Sequence, residues 1–281
     1  MIFDFLKKKR TDDVVTVNPK LEKMDTSKQK QKINDVQLKT NLQVFLDFEK
    51  HTEEKYNIVG KIDFSFRSDI PSKESEANFD HFPCIVKVGT QNYGDIEKLD
   101  DKQKNHLYNT IEHELIHVRN YYDLTQETRD KISNNLMSIA HWGRLMLDEY
   151  SAYKESNALY PETEDELNSS QEKVLESFNH IQKGYLSGAT DAQFYVSFYY
   201  NCCAIISHSI VDDDFPRDKR NRDYVRACND FIKDLDEAHG RMPLNYEEYK
   251  SLGNKLMSDL LIMAPVNKRE FFKFNTRIRL D

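Results

Sequence analysis

The sequence predicts an α+β fold, with a small antiparallel or mixed sheet near the N-terminus and a larger, mainly helical part after it. Three observations carry this reading. Between Tyr56 and Phe66 apolar positions alternate with polar ones (Ile58, Ile62, Phe64, Phe66), as a strand with one buried face requires. Cys84-Ile85-Val86-Lys87-Val88 is a second short β-favouring run. Beyond Gly94 apolar residues return every three or four positions, and glycine and proline gather between these stretches rather than inside them.

In chain order, residues 1–32 are rich in Lys, Asp, Thr and Gln with little periodicity, so they read as a flexible charged lead-in. The spacing of Ile33, Val36, Leu38, Leu42, Phe45, Leu46 and Phe48 predicts a first helix. The two strands follow, and Pro83 suits a strand start or an edge, because it cannot donate to a ladder. Helices are then expected over Ile96 to Tyr122, Gln126 to about Ser138, Arg144 to Ala158 and Glu164 to Tyr185. Three more are expected over Ala192 to Val211, Tyr224 to Ala238 and Tyr246 to Met263. Residues 33–281 are read as one domain: 33–160 hold the sheet and the helices that carry chemistry, and 161–281 form a helical C-terminal part.

Composition narrows the class. The chain contains 16 Phe and 15 Tyr, enough large apolar groups to build a core, which argues against general disorder. Its net charge of -8 argues against a nucleic-acid partner, since phosphate contact wants a concentrated basic surface. The basic runs at Lys7 to Arg10 and Arg217 to Arg222 read as solvated segments. No apolar run reaches membrane-spanning length, and the N-terminal order, apolar then basic, is the reverse of a secretory signal. Cys84, Cys202, Cys203 and Cys228 show no paired metal spacing and are expected to be reduced, buried thiols. The expected location is the cytoplasm.

Thr110-Ile111-Glu112-His113-Glu114-Leu115-Ile116-His117 contains the pattern H-E-x-x-H. Two histidines four apart on a helix project from one face and can share a tetrahedral Zn²⁺. The intervening Glu114 sits about 100° round the helix from His113, placed to take a proton from water on the metal. Leu107, Ile111, Leu115, Val118 and Tyr122 recur at helical spacing, so one stripe of this helix is expected to be buried.

A catalytic zinc needs a third protein ligand, and two residues qualify. Glu149 lies in Leu147-Asp148-Glu149-Tyr150-Ser151-Ala152, where Leu145, Glu149, Ala152 and Ser156 share a helical face. The small Ala152 lets that face come close to the histidine helix. An unbroken helix from Gln126 to Glu149 would be about 36 Å long and would carry Glu149 past the histidines. A reversal is therefore expected at His141-Trp142-Gly143. The alternative ligand is Asp123, ten residues beyond His113.

The H-E-x-x-H motif with its downstream Asp148-Glu149-Tyr150-Ser151-Ala152 resembles the gluzincin metallopeptidases, over roughly Asn109 to Glu155. The resemblance implies His113, His117 and Glu149 as zinc ligands, Glu114 as general base, and hydrolysis of a peptide or protein substrate. It also implies that an extended substrate lies along the strand containing Ile85, Val86 and Val88; the other reading of that strand is purely structural. Asp123 stands where the metzincins, a sister group, place their third ligand, with Asn120 at the position of their turn-forming glycine. His208 and Tyr200 are the candidate donors to a developing oxyanion, against an ordinary core role for each. Two other functions fit the same sequence: a helical interaction or regulatory module with a vestigial or structural metal site, and a zinc hydrolase acting on a non-peptide amide.

Overall fold

The fold is taken from a computed structural model, which describes residues 45–133, 138–161, 202–203, 206 and 222–263. The expected lead-in and the helices over Glu164 to Tyr185 and most of Ala192 to Val211 lie outside the described residues, as does most of the first helix. The chain divides into two compact units. The first runs to Arg119 and takes in Ser156–Pro161; the second comprises Asn120–Glu155 and the residues from Glu162 onward.

The first unit contains a helix described from residue 45 to 56, α1, followed by three short strands. These are β1 (Ile62–Arg67), β2 (Glu76–Asn78) and β3 (Cys84–Gly89). Their spatial order is β1-β3-β2: β1 runs parallel to β3 from Ile62↔Cys84 to Arg67↔Gly89, and β2 runs antiparallel to it. The sheet is therefore mixed. The expected strand from Tyr56 begins too early. The helix continues to residue 56 and ends at Asn57, whose φ of 55° reverses the chain. Ile58 N–H then bonds to the Glu53 carbonyl at 3.0 Å and Asn57 N–H to that of Glu54 at 3.2 Å, the paired bonds of a Schellman cap. Ile58 is buried as part of that cap and not as a strand residue.

The long helix α2 (Asp101–Asp123) starts later than its sequence pattern implied. Ile96–Lys98 forms a separate 3-10 turn. Asp100 is the reason: its carboxylate accepts from Gln103 N–H at 2.8 Å, and the Gln103 side chain accepts from Asp100 N–H at 3.1 Å. This reciprocal capping box fixes where the helix begins. Of the predicted stripe, Leu107, Ile111, Leu115 and Val118 are fully buried, and Tyr122 is half-buried.

In the second unit, α3 (Gln126–Ser133) follows α2, and α4 spans Ile139–Leu159, its residues from Ser156 onward belonging to the first unit. The reversal expected at His141-Trp142-Gly143 is not there; all three residues are helical. Ser138 begins α4 instead, its hydroxyl accepting from His141 N–H at 3.1 Å. Helices α5 (Arg222–His239) and α6 (Tyr246–Met263) lie close to where their patterns put them. Asn245 and Glu248 cap α6 reciprocally, at 3.1 and 3.0 Å. A Cβ on Gly143 would meet the Tyr249 carbonyl at 2.2 Å, and one on Gly253 would meet that of Ile139 at 2.1 Å. The two glycines thus let α4 and α6 touch backbone to backbone. No helix among the described residues is long and apolar enough to cross a membrane.

Candidate metal centre

The buried stripe of α2 orients the residues beside it. With Leu115, Ile116 and Val118 in the core, Glu114 is 6% exposed and His117 9%, while His113 is half-buried. The Nε2 atoms of His113 and His117 stand 3.1 Å apart, and the rings meet edge to face. Two nitrogens bound tetrahedrally to one zinc at 2.0–2.1 Å lie about 3.3 Å apart. The pair is already spaced for a shared ion.

Glu149 on α4, 5% exposed, completes the group: His113, His117 and Glu149 offer ligand atoms that all lie within 4.8 Å of one another. Two imidazoles and a carboxylate make up the composition of catalytic zinc sites, which keep a fourth position for water. The donor set therefore fits a divalent metal ion. Asp123, the alternative, is exposed at the last residue of α2 and is not in the cluster. Asn120 makes no turn; it lies inside α2 and is buried.

Three groups of neighbours hold this arrangement. Glu112, beside His113 and 2% exposed, accepts from Lys55 at 2.8 Å, from the Tyr56 hydroxyl, and from Thr52 at 3.4 Å. This ties α1 to the histidine helix. One turn before His113 on α2, Asn109 donates to the Asn157 side chain at 2.8 Å and to the Tyr160 carbonyl at 2.6 Å. Near its end, Asn120 donates to Asp148 at 2.8 Å, and Arg144 holds the other oxygen of that carboxylate at 2.8 Å. None of these polar anchors was singled out from the sequence for this role. The available signal was helical spacing from the buried Ile116: Asn109, Glu112 and Asn120 lie seven and four residues before it and four after it.

Cys84, at the head of β3, is fully buried, and its thiol is pushed up to about 12, first by burial and then by the charge of Glu114. The carboxylate of Glu114 thus lies near enough to β3 for its charge to be felt. β3 is the central strand, however, and its main chain pairs with β1 on one side and with β2 on the other. Ile85 and Val86 are paired on both sides, and Val88 is paired to Phe66 and fully buried. An extended substrate has no open edge at Ile85 or Val86, so a main-chain role for these two falls; Val88 has a strand partner on the β1 side only, and its burial fits the structural reading of the strand. His208 and Tyr200 lie outside the described residues.

The chain matches no protein-family model, no curated protein and no solved structure.

Proposed function

We propose that this protein is a zinc-dependent peptidase. The observation that carries the proposal is the convergence of His113, His117 and Glu149, with the buried Glu114 between the two histidines on one helix. The likeness of these residues to the gluzincin pattern supports the same reading. Zinc is favoured over harder cations because two of the three donors are imidazoles.

When bound, zinc supplies a Lewis acid that polarises the scissile carbonyl and lowers the pKa of water to about 7. The protein does the rest. Glu114 accepts the proton of the attacking water and passes it to the leaving nitrogen as the C–N bond breaks. Burial of Glu114 keeps bulk water from competing for that proton. A cytoplasmic location belongs to the same reading and rests on the sparse, unpaired cysteine usage of the sequence.

The test compares the wild type with Glu114→Gln, using metal analysis and a mixed peptide library. Near-stoichiometric zinc in both proteins is expected, with cleavage by the variant reduced about 10²- to 10⁴-fold. Folded protein that refuses zinc would point to a helical interaction module. Zinc uptake with hydrolysis confined to non-peptide amides would reassign the substrate class.

A further inference from the structure

We propose that Asn120 and Asp148 are positioning residues, a pin that sets the register of α4 on α2 and so presents Glu149 to the histidines. The proposal rests on the metal-centre reading above.

Asn120 lies one helical turn beyond His117, and Asp148 immediately precedes Glu149. The Asn120 amide donates to Asp148 Oδ1 at 2.8 Å, and Arg144, one turn back on α4, donates to Oδ2 at 2.8 Å. Asn120 is 6% exposed and Asp148 5%. A carboxylate this buried is costly to desolvate, and an apolar pair of similar volume would hold two helices together at least as well. What the polar pair adds is selectivity. An apolar contact tolerates sliding, whereas this hydrogen bond forms at one offset only.

The magnitudes make the offset matter. Advancing α4 by one residue moves a side chain about 1.5 Å along the axis and about 100° around it. That step would separate Asp148 from Asn120 and swing Glu149 off the imidazoles together. Binding groups must be held to roughly 0.5 Å, so the bond discriminates on the scale that the ligand set needs. One turn before His113 on α2, the contacts of Asn109 with Asn157 and Tyr160 repeat the device in the first unit.

The experiment measures zinc affinity of the full chain by chelator competition, with Co²⁺ absorption as a second probe of ligand geometry. Asn120→Asp sets carboxylate against carboxylate, Asn120→Ser removes the reach of the amide without adding charge, and Asn120→Asp/Asp148→Asn exchanges donor and acceptor. Each single change is expected to weaken zinc binding about 10- to 100-fold and to alter the Co²⁺ spectrum. The exchange is expected to recover most of the affinity. Should Asn120→Asp fail to fold, Asn120→Ser and the exchange carry the comparison. A merely structural role would lower the unfolding midpoint of the metal-free variants and leave their zinc affinity and Co²⁺ spectrum at wild-type values; that result overturns the pin alone. A wild type that takes up neither ion overturns the metal centre, and the pin with it.

Discussion

Nε2 of His117 faces Nε2 of His113 across 3.1 Å, one helical turn apart on α2. Without a cation between them, only one of these nitrogens can carry the proton, and the other must accept it. A divalent ion held there would take a lone pair from each nitrogen, and Glu149 would offset one of its two charges.

The ligand assignment is tested by loss of metal. His117→Ala and Glu149→Ala are expected to emerge from exhaustive dialysis with little zinc, whereas Asp123→Ala keeps the wild-type content. Asp123 is exposed and outside the cluster, so nothing at the site depends on it. Zinc loss in Asp123→Ala with retention in Glu149→Ala would reverse the assignment.

The sequence exposed the histidine pair and Glu149 because both signals are local: a helical spacing of four, and a carboxylate beside small residues on one face. It misled where one residue type serves two purposes. Gly143 follows His141-Trp142 and suggested a chain break, yet glycine also permits close helix contact, and here α6 occupies the space a side chain would fill. Nothing near residue 143 in the sequence announces Tyr249. The strand role failed for a related reason: the run from Cys84 to Val88 reads identically as an edge or a centre, and only the order β1-β3-β2 decides. Helix starts at Asp100, Ser138 and Asn245 were legible in principle, since each is a capping residue at its proper place.

Gly143→Ala should therefore be damaging even though alanine is the better helix former. Its methyl group would come within 2.2 Å of the Tyr249 carbonyl, a backbone atom that moves only if α4 and α6 separate. Overpacking of this kind costs about 1–3 kcal/mol, which outweighs the ~1 kcal/mol gained in helix propensity. Urea unfolding measures the balance. A stabilised Gly143→Ala would show that the two helices are not in contact there.

His141 makes stability depend on pH in a defined direction. Burial, helped by the nearby charge of Arg144, depresses the pKa of its imidazole from 6.5 to about 3. Above pH 6.5 neither the folded nor the unfolded chain protonates it, so its burial is tolerated. Between 6.5 and 3 the unfolded chain binds a proton that the folded chain refuses, and stability falls as the pH falls. The slope from this one group approaches about 1.4 kcal/mol per pH unit. His141→Gln should flatten the stability profile over that window, read from denaturant unfolding at successive pH values. An unchanged slope would mean that His141 takes up its proton in the folded state.

Two lysines of α1 give a contrast in what an ion pair contributes. Lys50 pairs with Glu54 at 3.8 Å with both side chains largely in solvent (72% and 57% exposed), and such pairs are worth about 0–1 kcal/mol. Lys55, its own side chain 41% exposed, instead reaches the carboxylate of Glu112, whose side chain is 2% exposed, at 2.8 Å. Removing Lys55 leaves a buried anion with Tyr56 and Thr52 as donors but without a cation at that distance. Lys55→Met is therefore expected to lower unfolding free energy by about 1–3 kcal/mol, while Lys50→Met changes it by less than about 0.5 kcal/mol. Because Glu112 adjoins His113, the Lys55 variant should also bind zinc more weakly, and Glu112→Gln, which needs no cation, should make it indifferent to residue 55. Equal destabilisation by both lysine changes, or an effect of Lys55→Met that persists undiminished in Glu112→Gln, would show that the aliphatic stem of Lys55 and not its charge joins α1 to the histidine helix.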